Sequence, residues 1–486
     1  MLLIDNTRIF CVGRYAVAAL VVGLVFMLGG RQSPALQVHS VQVSAWATPE
    51  EAEQSRARFA ESCSPAFVIE DKASGPNPYQ VLVGHFPYYV EAWIAATRME
   101  KTLAPGAVVR SWEWDSRTLE ATRLPIELPF STDGLSPEVK APASAHYEAV
   151  GIIAQTPPEA ALLEKPLETL TREELLTVGI GAPRNVVGVP ALERFLSEYA
   201  SNPEAPRARL RLVRRLLGQK DFERAASLVE QVLASGTPEQ RQVAALLSAY
   251  ILYHTRKPSE AYEAFRQLAG DAGQPPSLRR EAMRMAAGIA HARKLRDVAY
   301  LAFEQVERTA CDPAVAAEAR MQRAGLAFEL VGCEKGSWDD ARALCRSVET
   351  MPDAPDATRA TARLMFAETF FKERNYDRAA QESDRLIADF PGVTRERVTA
   401  MYWKARSLQE LHRADEALEV YAAIEKETIT PEELFPALNV KARALSEPAR
   451  IHRHRGNLEA ARVLETRLLE MYPDSREARQ LRKPTP

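Results

Sequence analysis

Several things are scarce in this 486-residue chain, and each scarcity narrows its function. There are five cysteines, Cys11, Cys63, Cys311, Cys333 and Cys345, and none falls in a CxxC pair, so a zinc site has no sequence support. Cys333 and Cys345 read as small buried hydrophobes, with a disulfide as the alternative in an oxidising compartment. Glycine occurs only 22 times, and no strand–GxGxxG–helix pattern or P-loop is present to cradle a phosphate. Neither GxSxG nor HExxH occurs. His452 and His454 form an HxH, but they are flanked by arginines and lack a third ligand at metal spacing, so they read as a solvated basic helix face. There is no excess of positive charge: 62 Lys and Arg stand against 65 Asp and Glu, a net charge of -3, which excludes a nucleic-acid footprint over the whole chain. No enzyme and no cofactor are expected.

Long apolar runs are also rare. The one at the front, YAVAALVVGLVFMLGG, spans Tyr15 to Gly30 without a charge and is bracketed by Arg14 and Arg31. A span needs about 20 apolar residues, and flanking arginines can snorkel to extend a shorter one. Arg8 and Arg14 favour a cytoplasmic N-terminus, residues 1–14, with the bulk of the chain exported. The expectation is an inner-membrane anchor at 15–30 with a periplasmic C-terminal bulk; a cleaved signal peptide is the alternative.

The segment 36–118 repeats itself at an offset of 40. Val41 meets Val81, Val43 meets Val83, Trp46 meets Phe86, Glu51 meets Glu91 and Ala52 meets Ala92. Each half reads strand–helix–strand. Val41 and Val43 alternate with Gln42 and Ser44, the period of a half-buried strand. Thr48-Pro49-Glu50-Glu51 then starts a helix. The expected product is βαββαβ, a four-stranded antiparallel sheet with both helices on one face. The other face is expected to be open and to carry Gln42, Ser44, Gln80 and Leu82 as a platform for an extended polymer. Trp46 and Phe86 are expected in the core. RNA-recognition domains share this topology, but YQVLVGHF lacks their basic and aromatic positions. The stretch 38–115 also holds 6 Lys/Arg against 10 Asp/Glu, a poor match to a phosphate backbone.

On the residues HSVQVSAW, AFVIED, YQVLVGHF and AVV, this segment resembles a SPOR domain, a module that binds peptidoglycan glycan strands stripped of stem peptides. The resemblance covers about 80 residues. It implies a glycan-binding set of Gln42, Ser44, Ala45, Gln80 and Leu82. The departures are Ser44-Ala45 in place of a glycine-serine turn, Gln80 where some members carry arginine, and Pro78 in place of an aromatic.

Residues 119–185 are rich in proline and read as a linker or docking segment, in which TLTREELLTVGIG could form one short helix. From 186 to 482 the pattern is helical, and a phrase recurs: an alanine, a larger residue four later, an aliphatic three after that. Examples are Ala225/Val229/Val232, Ala261/Phe265/Leu268, Ala299/Phe303/Val306, Ala341/Cys345/Val348, Ala379/Ser383/Leu386, Ala417/Tyr421/Ile424 and Ala461/Glu465/Leu468, with Ala191/Phe195 at the front. The small alanine lets two helices approach, and proline closes some units, as at Pro203, Pro391 and Pro473. This resembles the tetratricopeptide repeat with lengthened units, the marker alanines lying 34 to 44 residues apart; HEAT-like hairpins are the runner-up. The resemblance implies a solenoid that binds proteins or peptides.

The fold class expected is therefore α+β plus all-α: a membrane segment, a SPOR-like βαββαβ domain and a C-terminal TPR-like solenoid. The function expected is a non-catalytic envelope scaffold that binds peptidoglycan and recruits a protein partner during division or wall remodelling. The alternative is a protein-interaction adaptor whose SPOR-like fold does not bind glycan.

Overall fold

The computed structural model describes residues 36–71, 75–86, 88–114, 129–130, 135, 158–183, 185–333, 336–428 and 434–482. The apolar segment 15–30 and most of the proline-rich stretch lie outside these residues. No described helix is long and apolar enough to cross a membrane. The chain forms a mostly helical array with a small N-terminal sheet. Among the described residues, one compact unit takes 129–319, and the other takes 36–114 together with 320–482.

The sheet holds β1 (Leu36–Trp46), β2 (Ala66–Glu70), β3 (Tyr79–Phe86) and β4 (Val108–Trp114), with α1 (Pro49–Ala60) and α2 (Tyr89–Thr102) between them. The strand order is β2-β3-β1-β4 and every neighbour is antiparallel. This is the expected βαββαβ topology. Thr48 caps α1 by accepting from the Glu51 amide, with Pro49 in the first turn. Val41, Val43, Val81, Val83 and Phe86 pack against Ala52 of α1 and Ala92, Ala95, Ala96 and Met99 of α2, and Trp46 lies against the same core.

The helical array begins earlier than position 186. Helix α4 (Arg172–Gly181), after the short α3 (Ala160–Glu164), opens with a reciprocal capping box between Thr171 and Glu174. Leu175, Val178 and Ile180 of α4 are buried. The span read as linker thus ends in the first hairpin, α4 with α5 (Asn185–Glu198). Arg215 of α6 (Ala205–Gln219) fastens it: the guanidinium donates to the carbonyls of Gly179 (3.1 Å) and Ala182 (2.6 Å) and to Asn185 Oδ1 (2.9 Å). Gly188 makes the room, because a Cβ there would stand 2.5 Å from Arg215 Cζ.

In the first unit the array continues through α7 (Phe222–Ser235), α8 (Pro238–His254), α9 (Pro258–Gly270), α10 (Pro276–Ala292) and α11 (Arg296–Thr309). Helix α12 spans Pro313–Val331. The second unit adds α13 (Trp338–Glu349), α14 (Asp356–Lys372), α15 (Tyr376–Asp389), α16 (Thr394–Glu410), α17 (Ala414–Lys426), α18 (Leu434–His454), α19 (Leu458–Met471) and α20 (Arg476–Leu481). The marker alanines sit on the second helix of each hairpin and are fully buried at 225, 261, 299, 341, 379, 417 and 461. Cys345 is buried as expected, and burial pushes its thiol up to about 12. Cys333 is exposed and both thiols are free, so the alternative of a disulfide is not taken. His452 and His454 close α18, where basic side chains favour the negative end of the helix.

One turn design joins the two helices of most hairpins. Lys220, Arg256, Lys294, Arg374, His412 and Gly456 all sit in the left-handed region, with φ between 60 and 76°. The amide of each bonds back three residues, and the amide of the next residue bonds back five, as in Asn457→His452 beside Gly456→Arg453. This is the Schellman stop. That next residue also starts the second helix: Asp221, Asn375 and Asn457 each cap it with a side-chain oxygen. Only one of the six turns uses glycine. Gly456→Ala is therefore expected to cost about 1 kcal/mol. Gly288→Ala, in the interior of α10 with open space around the added Cβ, is expected to gain up to about 1 kcal/mol. Thermal midpoints that move in opposite directions would check the pair.

Candidate interaction surfaces

The sheet face opposite α1 and α2 is where the sequence places the glycan set. Gln42 pairs with Leu82 and Ala45 with Gln80, so these four share that face. Ser44 does not join them. The register between β1 and β3 slips between Gln42 and Ser44, and Ser44 comes to pair with Val81. A bulge of this kind inserts one extra residue and switches side-chain parity beyond it. The Ser44 hydroxyl instead lies 2.9 Å from the Ser55 hydroxyl of α1 and accepts from Trp46 Nε1 at 3.0 Å. The face is also not open along its length. Leu82 is 0% and Gln80 1% exposed, and Gln80 Nε2 donates to Asp71 Oδ2 at 3.1 Å. What stays accessible lies towards β4: exposed Val108 and Arg110, with Arg110 Nε donating to Gln42 Oε1 at 2.6 Å. Arg110 escaped the sequence reading, because only the pairing of β1 with β4 puts it beside Gln42.

On the helical side of the sheet domain, the N-terminal end of α2 is engaged by the chain itself. Helix α2 has no side-chain cap from its own N-cap residue, Tyr88. Asp340, at the start of α13, supplies the cap. Its Oδ2 accepts from the Val90 amide at 2.8 Å, and the Tyr89 amide also bonds it. In the same first turn, Glu91 pairs with Arg323 of α12 at 2.7 Å, with both side chains largely buried. A carboxylate at a helix N-terminus is favourably placed for the helix dipole and the unpaired amides. Burial opposes it, pushing the Asp340 carboxyl up to about 6; the two amides pull it down and Asp339 adds to the rise.

Along the array second helices pack on the first helix of the next hairpin, and first helices also touch one another, with α14 on α16 and α16 on α18 in the second unit, and α4 on α6 and α6 on α8 in the first. Repeats that touch more closely on one side curve towards it, so the first helices line the inner side. In the second unit this side carries half-buried Trp403 and Phe371, whose ring centroids lie 4.8 Å apart, beneath Lys372 and Arg406. Arginine–carboxylate pairs fasten neighbouring helices, including Arg406–Glu447 (3.2 Å) and Arg443–Glu477 (3.2 Å) and, within one hairpin, bidentate Arg397–Glu427.

In the first unit the inner side of α6 carries Arg207, Arg211 and Arg214 at helical spacing. Arg207 is paired with Glu204 at 2.8 Å. The Nε of Arg211 is buried and has no hydrogen-bond partner. Burial, then the charges of Arg215 and Arg214, depress the Arg211 pKa to about 9. A guanidinium in that position would gain from an anionic partner.

Residues 210–277 and 364–431 match the family described as tetratricopeptide repeat. No curated protein matches the chain. Among solved structures, the apo form of the quorum sensor NprR from B. thuringiensis shares 11% identity at a TM-score of 0.38, over 62% of this chain and 97% of that one. A Signal Transduction ATPase with Numerous Domains protein with a tetratricopeptide repeat sensor, from Pyrococcus horikoshii, shares 14% at a TM-score of 0.42, over 71% and 52%. With the matched windows spanning α6 to α10 and α14 to α17, this chain carries tetratricopeptide repeats.

Proposed function

We propose that the chain is a non-catalytic protein-interaction adaptor whose tetratricopeptide array takes an acidic protein segment on the inner side of its first helices. The observation that carries this reading is Arg211, a partly buried cation whose Nε has no acceptor. The sheet domain serves as a fixed part of the adaptor, held by Asp340 and by the Glu91–Arg323 pair.

A pair of photo-crosslinking side chains tests it in cells. One replaces Gly218, which is exposed, has open space around it and lies on the helical stripe of Arg207, Arg211 and Arg214. The other replaces Gln231, exposed on α7. A discrete partner adduct is expected from Gly218 and not from Gln231. Equal yields from both, or none from either, would contradict the reading.

The finer proposal of peptidoglycan binding rests on the SPOR resemblance, with Gln42 and Ala45 as the members of the set nearest the accessible β4 edge. Co-sedimentation with amidase-treated sacculi tests it: binding should fall in Gln42→Glu, and no pelleting would reject it. Division or wall remodelling would be the setting of such binding. The bracketing arginines of segment 15–30 support a proposed inner-membrane anchor with a periplasmic bulk, for which a C-terminal alkaline phosphatase fusion should be active; an inactive fusion would reject that topology.

A further inference from the structure

Helix α11 differs from the other second helices on its outward side. Counted from the marker alanine, the second and sixth following residues are exposed in α9 (Glu263, Gln267) and α15 (Gln381, Arg385). In α11 these positions are Leu301 and Gln305, and both are buried. Gln305, 3% exposed, is engaged by a segment about 175 residues away in sequence. Its Nε2 donates to the Phe130 carbonyl at 2.6 Å, and its Oε1 accepts from the Phe130 amide at 3.2 Å. The Phe130 side chain is 4% exposed and Pro129 is half-buried.

One side-chain amide that pairs with both main-chain groups of one residue reads the backbone of that residue rather than its side chain. Burial of the aromatic ring supplies the apolar anchor. Gln305 itself is held in place from below. Thr309 Oγ1 donates to the Gln305 carbonyl at 2.8 Å, and Arg280 Nε donates to the Thr309 carbonyl at 2.7 Å. We propose that the outward side of α11 is a peptide-docking site for a segment bearing a proline–aromatic pair, occupied in cis by Pro129-Phe130 of this chain. The site is separate from the inner side of the first helices, and its own segment keeps competing peptides out.

A fluorescent peptide copying residues 124–134 (LPIELPFSTDG) probes it against the full chain by anisotropy. The peptide is expected to bind the Phe130→Ala chain at least about tenfold more tightly than the unaltered chain, whose site is filled. Binding should be lost with Gln305→Glu added, which removes the Nε2 donor, or with alanine for phenylalanine in the peptide. Equal affinity for the unaltered and Phe130→Ala chains would overturn occupancy in cis, and no binding to a folded Phe130→Ala chain would overturn the site. A second measurement does not depend on that variant folding. Chymotrypsin cleavage after Phe130 should be slow in the unaltered chain and at least about tenfold faster in Gln305→Glu. Cleavage at the same rate in both would overturn the clamp.

Discussion

Phe265→Ala is expected to lower the unfolding free energy of the first unit by about 3–5 kcal/mol, the cost of removing a large aromatic from a core that cannot close over the gap. Phe265 is fully buried and meets the Tyr250 ring edge-on, with centroids 5.2 Å apart. It is the larger member of the Ala261–Phe265 pair that fills the groove between two helices of one hairpin. Because each repeat leans only on its neighbours, the loss should be local. Hydrogen exchange should speed up in α8, α9 and α10 before it does in α15 to α19. Glu465 stands at the corresponding place in the last hairpin, half-buried and paired with Arg453 at 2.5 Å. There, replacement by alanine should stay within about 1 kcal/mol. Urea denaturation of the two variants decides the point; similar losses at both positions would mean the marker stripe does not hold the hairpins together.

The second large effect concerns the junction between the sheet domain and the array. Asp340→Ala leaves the Val90 and Tyr89 amides without their acceptor in a buried place and should cost about 1–3 kcal/mol. Asp340→Asn keeps an acceptor oxygen and gives up the charge, so above pH 6 it should be close to neutral or stabilising. The pH dependence follows from the direction of the shift. Docked, Asp340 holds its proton up to about 6; undocked, it releases it near the ordinary aspartate value. Between about pH 4 and 6 the docked form therefore binds more protons. Docking strengthens as pH falls through that window, by up to about 3 kcal/mol, and is weakest above it. The Asn variant should flatten the profile. Protection of the α2 amides against exchange, followed from pH 4 to 8, reads this directly; protection that rises with pH would reverse the assignment.

Much of this architecture can be read from the sequence because it rests on periodicity. The alanine stripe at 225, 261, 299, 341, 379 and 417 marks one buried face per hairpin, and the structure buries each of these alanines. The doubled strand–helix–strand text likewise gave the sheet its topology and its core. What escaped has two physical sources. Strand parity was carried straight through Ser44, whereas a bulge, which has no reliable signature in one sequence, turns that hydroxyl towards Ser55. The remaining features depend on partners far apart in sequence. Asp340 on α2, Arg215 on the end of α4 and Gln305 on Phe130 all come from packing between segments, to which local pattern is blind. Leu301 and Gln305 did carry a faint signal, since they depart from the polar outward positions of neighbouring hairpins.

The array as a binder of acidic segments is the claim on which the function rests, and Arg211 tests it most directly. With the partner captured by the Gly218 cross-link in hand, its dissociation constant is measured for the unaltered chain, Arg211→Gln and Arg211→Glu at two salt concentrations. The account predicts weakening of about tenfold for Arg211→Gln and more for Arg211→Glu, together with a shallower salt dependence in both. Affinities unchanged by either variant, with the fold intact, would contradict it.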